Sequence, residues 1–389
     1  MSSPTTLRPC KVIIVGSSLA GLALALMLEK AGIDYILLEA YDEIVANVSA
    51  GIVMLPNGLR ILDHFGCYEA LPGPVDEAIK VMSFREPEGE VLAETNPPEG
   101  IRADNGRYGY PAIWLERSAV LEVIYDRTSD KSRLLAQKRV DSMRHLDDAV
   151  EVKCTVTYGC LFGVSPTVPG IPAGYLGFGV NQHFSHLVGT GPANKTYWAL
   201  MSNLGRTLRG AEIPVQDHWN DKITPSIIFG DLYKCRERKT YAPMREGVNK
   251  KWHLDRMMTI GDACHQVDDG RGWAGGNQAL ESAAALTNSL FDMLSMPSAE
   301  RLATDEIRAM FQEVQELRSP RVTFAMKMSR TRQELDAMET PELEDVMLNK
   351  FRHVPGAVSL QMLEVPVRAR TVPFDDEKGG ERVRLNSQL

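Results

Sequence analysis

Two glycines, a serine and an acid near the start of the chain have the types and spacing for a chemical task. They lie in Val15-Gly16-Ser17-Ser18-Leu19-Ala20-Gly21 and at Glu39. Gly16 lets a backbone pass close to a phosphate, and Gly21 lets a helix pack tightly on the strand before it. Ser18 stands where the strict G-x-G-x-x-G pattern has its second glycine. Glu39 follows the turn by about twenty positions, where a carboxylate can accept from both hydroxyls of a ribose. Phosphate oxygens would sit on the N–H groups of the helix that the turn opens. A dinucleotide is the ligand class this set predicts; the plain alternative is a βαβ crossover with a small-residue turn.

The elements that hold these residues can be read around them. Val12 to Val15 is an apolar run of the kind a doubly buried strand shows. Leu22 to Leu28 is rich in strong helix formers, Gly32 ends that helix, and Tyr35 to Leu38 is a second buried strand. Further on, a helix over 59–65 stops at Gly66, and 81–94 is a strand pair turning at Glu88-Gly89. Residues 108–114 are extended and a helix follows over 119–125. Strands are predicted over 133–140 and 150–154, with Asp147-Asp148 between them. From 158 to 198, aromatics scattered among glycines and β-branched residues predict an antiparallel layer carrying a substrate pocket. Residues 217–239 read as partly helical, broken at Pro225. A short buried strand over 257–260 runs into Gly261-Asp262-Ala263-Cys264-His265, a glycine-rich loop at 270–276 and a helix from Asn277 to about 293. Ile307, Met310, Phe311 and Val314 have helix spacing, and the polar last stretch reads as frayed.

Composition excludes several classes. The chain has 389 residues, 44% hydrophobic and 24% charged, which suits one large or two linked enzyme domains. A net charge of −8 argues against nucleic acid as partner. The six cysteines (10, 67, 154, 160, 235 and 264) form no C-x-x-C pair, which predicts free thiols in a reducing compartment. The N-terminus has no apolar core of a signal peptide, and no run of eighteen apolar residues occurs. The expectation is a soluble cytoplasmic protein. His183 and His186 invite a metal, but on a strand they face opposite sides and no third ligand is evident, so no metal is expected.

Three separated pieces now line up: the opening βαβ unit, Leu115-Glu116-Arg117, and residues 261–286. With VIIVGSSLAGLALALMLEKAGIDYILLE, LPNGLRILDHFG, GYPAIWLERSAVLEVIYD, CLFGVSPTVPG and GDACH…GGNQALESAAALTNSL, the chain resembles the FAD-dependent monooxygenases of the aromatic-hydroxylase type. Within them it is most similar to fungal epoxidases and hydroxylases of terpenoid, meroterpenoid and indole-diterpene pathways. The resemblance implies an α/β fold. A Rossmann-like parallel FAD-binding sheet of glutathione-reductase type, short of one strand, would pack beside a mixed or antiparallel substrate-binding sheet. A C-terminal helical tail would pack on the cofactor unit. The FAD-binding domain would be discontinuous (8–80, 106–154 and 255–300), with the substrate sheet at 81–105 and 155–254 and helices and tail at 301–389.

The resemblance also implies roles. Gly16, Ser18, Gly21 and Glu39 would hold the pyrophosphate and ribose, Arg117 a phosphate or ribityl oxygen, and Asp262 a ribityl hydroxyl. Gly275, Gly276 and Asn277 open a helix whose positive end could face the flavin edge that gains negative charge on reduction. Arg117 could instead be a solvated charge, Asp262 an N-cap and the glycines a cap without ligand. FAD and, transiently, NADPH are the implied cofactors, with O₂ supplying one oxygen to an alkene or electron-rich ring of a hydrophobic substrate. Tyr158 is a candidate donor to that substrate or else a core aromatic; His265 is a candidate or else a structural imidazole.

The chain departs from this family at three places. A strand ending in Gly-Ala-Asp-Gly belongs between 154 and 158, yet Cys154-Thr155-Val156-Thr157-Tyr158 runs straight through, and the chain's one Asp-Gly is Asp269-Gly270. Val53 stands where a glycine lets the flavin approach. In 268–274 the usual Pro-Asn-x-Gly-Gln becomes Asp-Asp-Gly-Arg-Gly-Trp-Ala. These departures open a second class of chemistry: a redox-inactive isomerase or cyclase using Asp268, Asp269 or His265 as acid and base. A third is a purely structural role.

Overall fold

The computed structural model describes residues 7–46, 51–72, 79–95, 110–140, 156–192, 194–203, 215–245, 247–266, 275–297 and 302–350. It opens as the sequence predicts. Strand β1 (Lys11–Val15) leads through the glycine turn into helix α1 (Leu19–Lys30), and β2 (Asp34–Leu38) returns parallel to β1, pairing Lys11 with Asp34 and Val15 with Leu38. Residues 19–28 of α1 are all buried, as befits a helix that is apolar on every side. Gly32, at φ +69°, reverses the chain into β2.

Next come β3 (Gly51–Met54), α2 (Pro56–His64), β4 (Val81–Arg85), β5 (Val91–Thr95), β6 (Ile113–Glu116), α3 (Arg117–Arg127) and β7 (Leu134–Leu135). Pro56 begins α2, where its missing N–H costs nothing. The strand expected over 133–140 shrinks to the two residues of β7, because Lys131–Arg133 takes a 3₁₀ turn held by the Asp130 carboxylate. The strand expected over 150–154 lies outside the described residues. β7 joins β2 in parallel, giving the order β1-β2-β7. Among the described residues no strand pairs with the outer edge of β1, where Ile13 is 63% and Val15 50% exposed. Met257–Met258 does not fill that edge; it forms a two-residue ladder with His253–Leu254, so the buried strand expected over 257–260 shrinks to two half-buried residues.

The second layer is a seven-stranded mixed sheet. It adds β8 (Val156–Pro166), β9 (Tyr175–Asn181), β10 (Phe184–Gly191) and β11 (Lys195–Asn203). After the β12–β13 hairpin (Lys222–Thr224, Ile227–Ile228) and the one-and-a-half-turn α4 (Phe229–Lys234), β14 (Arg238–Arg245) closes the sheet. The strand order is β14-β8-β11-β10-β9-β4-β5, antiparallel except where β4 meets β9. Residues 217–239 are thus less helical than expected. Ile223, Thr224, Ile227 and Ile228 prefer a strand, and burying Ile223 and Ile227 on the sheet fixes the hairpin around Pro225.

Two cores meet at one two-stranded ribbon. β3 and β6 pair antiparallel, Val53 opposite Trp114. Period-two alternation sends Ile52, Met54, Ile113 and Leu115 into the core around α1. The same alternation sends Val53 and Trp114 into the core on the inner face of the seven-stranded sheet. Trp114 lies against Gly189 of β10, where a Cβ would come within 2.8 Å of its ring. Helix α5 (Gly275–Ser295) packs on α1 and α2, and the long α6 (Thr304–Asp336) crosses α5. Ile307, Met310 and Val314 of α6 belong to the first core, Leu335 with Ala337 and Met338 to the second. The C-terminal helix therefore bridges both layers, where the cofactor unit alone was expected to receive it.

Candidate functional site

The phosphate end is built by the first turn of α1. Gly16 has φ +96° and open space where a Cβ would stand. At Gly21 a Cβ would lie 2.0 Å from the Gly16 carbonyl oxygen, so only glycine allows this contact between helix and turn. Ser18 is the N-cap residue in extended conformation, and its side chain caps nothing. The first N–H groups of α1 and its positive dipole end are thus offered to an anion. Glu39 is 7% exposed and accepts from the Ser17 N–H (2.6 Å), the Ser17 hydroxyl (2.7 Å) and the Tyr41 N–H (2.9 Å). Burial pushes its pKa up, but these hydrogen bonds outweigh that and hold it below the usual carboxylate range. Glu39 also fixes the turn, a task its position alone did not reveal.

The middle is made by Arg117, the first residue of α3, and Asp262, in the 3₁₀ turn Gly261–Ala263. Gly261 sits so close to α1 and α5 that a Cβ would be 3.0 Å from Ala20 Cβ and 3.5 Å from Ala279 Cβ. Asp262 is accessible to solvent, yet its protein surroundings raise its pKa, and Arg117 pulls it back down. Burial lowers the Arg117 pKa while Asp262 raises it. The two charges are therefore close enough to act on one another, which brings the start of α3 and the Gly261–Ala263 turn together.

At the third corner, α5 begins with Gly275, Gly276 and Asn277. A Cβ on Gly276 would meet Ile52 at 2.5 Å and Leu19 at 3.1 Å, so the N-termini of α1 and α5 abut. Asn277 is 1% exposed; its Oδ1 accepts from the Leu55 N–H (3.1 Å) and its Nδ2 donates to the Val53 carbonyl (2.9 Å). Its side chain ties α5 to the ribbon and is spent on that. Val53 is fully buried in the sheet-side core, opposite Trp114 of β6.

Of the acid–base candidates, His265 alone has a described side chain. His265 is fully buried against Trp252, with Nε2 2.8 Å from the Ser282 hydroxyl. Burial, with the Arg318 charge adding to it, pushes its pKa down to about 4. Its ring is shielded from solvent, and its lowered pKa disfavours the charged form near neutral pH. Asp268 and Asp269 lie outside the described residues. Tyr158 occupies a position on β8 between Asn203 of β11 and Met244 of β14.

A charged cluster behind the site went unread in the sequence. Glu281, 4% exposed, accepts from Asn57 Nδ2 (2.8 Å), Arg318 Nη1 (2.5 Å) and Arg321 Nη2 (2.5 Å). It lies one helical turn from Asn277, on the same face of α5. That i,i+4 spacing was visible; its partners on α2 and α6 are too distant in sequence to be.

An open glycine turn, an uncapped helix N-terminus, an ionised acid at the end of β2 and an Arg–Asp pair fit an adenine dinucleotide with a polar ribityl chain. Together with the layered fold they define a FAD-binding α/β protein. Residues 9–154 match the family model described as an FAD binding domain. The chain is 30% identical to the FAD-dependent monooxygenase penM of Penicillium crustosum, over 82% of this chain and 77% of that one. It is 26% identical to the FAD-dependent monooxygenase anuJ of Penicillium roqueforti, over 96% of this chain, and spans 55% of that relative's length. Its fold is similar to that of Klebsiella pneumoniae HpxO complexed with FAD and uric acid, with a TM-score of 0.70 at 17% identity, covering 93% of this chain and 98% of that one. The chain belongs to the FAD-dependent monooxygenase family.

Proposed function

We propose that the protein oxygenates a hydrophobic natural-product intermediate of secondary metabolism, by epoxidation or hydroxylation, with NADPH and O₂. The observation that carries this reading is the convergence of the α1 N-terminus, Glu39, Arg117 and Asp262 beside a sheet whose inner face is apolar. FAD, when bound, supplies the redox chemistry. The chain's own residues do the rest. Gly16, the Ser18 backbone and the first turn of α1 bind the pyrophosphate, Gly21 permits that geometry, and Glu39 accepts from the ribose. Arg117 and Asp262 hold the ribityl chain. Gly275 and Gly276 bring the dipole of α5 toward the flavin edge, while Asn277 and Val53 lock that helix to the ribbon. Phe84, Phe178, Leu187 and Met201 on the inner face exclude water and select an apolar substrate. Residues 8–80, 106–154 and 255–300 form the cofactor unit in this reading, and 81–105 with 155–254 the substrate layer. The protein works in the cytoplasm; no helix among the described residues is long and apolar enough to cross a membrane.

The visible spectrum of the purified protein tests the proposal. Bands near about 370 and 450 nm that bleach with NADPH support it. A colourless protein that turns over its substrate without NADPH or O₂ overturns it in favour of acid–base isomerase or cyclase chemistry.

A further inference from the structure

On the outer face of the seven-stranded sheet, away from the cofactor site, three ligand-type side chains converge. His186 sits on β10, and its Nε2 is 3.0 Å from Asp221 Oδ2. His218 Nδ1 is 2.9 Å from the same oxygen. One donor atom from each of the three lies within 4.8 Å of the others. His186 is 1% exposed and His218 8%, while the Asp221 side chain keeps 18% of its surface, which leaves a path from solvent. The backbone fixes the loop residues: the Asp221 N–H donates to the His218 carbonyl, and the Phe229 N–H donates to the Asp221 carbonyl. Phe184 and Phe229 pack on the His186 ring and make a dry wall.

We propose that His186, His218 and Asp221 bind one divalent first-row cation, zinc by the chemistry of the set. Two imidazole nitrogens and a carboxylate are borderline donors that suit zinc, with bonds of about 2.0–2.2 Å and a fourth position for water. With two sides of the donor triangle near 3 Å, one ion reaches all three atoms if the third side is about 4 Å or less. At the 4.8 Å bound, the imidazoles must close by roughly half an ångström. Two of the three donors are biased toward the form a metal needs. Burial keeps the His186 ring neutral, and although burial pushes the Asp221 pKa up, its two histidine hydrogen bonds hold it below the usual range. His186 Nδ1 has no hydrogen-bond partner, so one ligand lacks outer support and the affinity falls about 10–100-fold below that of a fully supported site. The triad faces away from the flavin site. Its role is to staple the 215–234 segment to β10, and the bare alternative is two imidazoles hydrogen-bonded to one carboxylate.

The test uses the full chain with its flavin, purified without chelators and dialysed, then analysed for metal. The expected result is about one zinc per chain, lost with EDTA together with several degrees of apparent Tm, both regained on adding Zn²⁺ alone. Zinc-edge absorption of the wild type should show only nitrogen and oxygen neighbours, with no sulfur at about 2.3 Å. Asp221→Asn and His218→Ala should each lose the zinc. The idea is overturned if the wild type carries no zinc and Zn²⁺ leaves the stripped protein's Tm unchanged. Sulfur neighbours, or a folded Asp221→Asn that keeps its zinc, overturn it equally.

Discussion

Replacing Glu281 by Gln removes one charge from the centre of the molecule at nearly constant shape. Glu281 receives Arg318, Arg321 and Asn57, and Arg318 is itself 4% exposed. The Gln side chain leaves the Arg318 cation buried without its carboxylate, which costs about 3–5 kcal/mol. At about 2–4 °C per kcal/mol for a chain of this size, apparent Tm should fall by roughly 6–20 °C. The loss should reach the cofactor. Glu281 is one turn from Asn277, which clamps Val53 and Leu55, so the variant should also retain less flavin after dialysis. Differential scanning fluorimetry reads the first effect and flavin absorbance the second. The paired replacement Glu281→Met with Arg318→Met should recover most of the Tm, because Arg321, 15% exposed at its side chain, can turn to water. The carboxylate also sets a pH limit. Burial raises its pKa, but the arginines outweigh that, so the folded value lies below the unfolded one near 4.3. Its stabilisation is present above that pH and is lost as pH falls through the folded value. A Glu281→Gln protein melting within about 2 °C of wild type would refute the role given to this cluster.

Gly21→Ala should cost at least about 1–3 kcal/mol and most of the bound flavin, since its Cβ would stand 2.0 Å from the Gly16 carbonyl oxygen. A variant with wild-type flavin content and Tm would show that the turn is looser than the structure has it. The folded pKa of His265, about 4, lies below the unfolded 6.5, so the unfolded state binds the extra proton and stability falls as pH drops from 6.5 toward 4. His265→Asn should flatten that slope in Tm measured against pH. It should leave the shape of the activity–pH profile unchanged, which a catalytic His265 would not allow. Ile13→Lys should slow aggregation on heating without lowering flavin content, because Ile13 is 63% exposed on an edge strand; unchanged light scattering would count against an open edge.

The βαβ unit and the glycine-punctuated layer after 156 were legible because each is local: apolar runs, Gly32 and Gly66 at helix ends, aromatic and β-branched residues between glycines; the ribbon strand Gly51–Met54 was not read as one, because its pairing with β6 is distant in sequence. The 217–239 hairpin was misread for a physical reason, since local helix propensity lost to burial of Ile223 and Ile227 on a surface built elsewhere. Val53 shows the same limit at the site. The face a strand residue takes depends on its register with its partner, and only the pairing with β6 puts Val53 in the core on the inner face of the seven-stranded sheet.

Partners distant in sequence mark the rest of what the sequence could not disclose. Glu281 meets Asn57 and Arg318 across separations of 224 and 37 residues, and His186 meets Asp221 across 35. His218 and Asp221 are three apart and could have been paired by eye, yet nothing local points them at β10. The edge of β1 ties the two levels together. Among the described residues β1 ends the sheet, with Ile13 and Val15 exposed. Still, Gly261 rests on α1 and Asp262 keeps its place opposite Arg117. What holds them is α5, fixed by Asn277 to the ribbon and by Glu281 to α2 and α6. The cofactor site therefore leans on a buried ionic anchor, and this is why a single charge behind the site should decide whether the flavin stays.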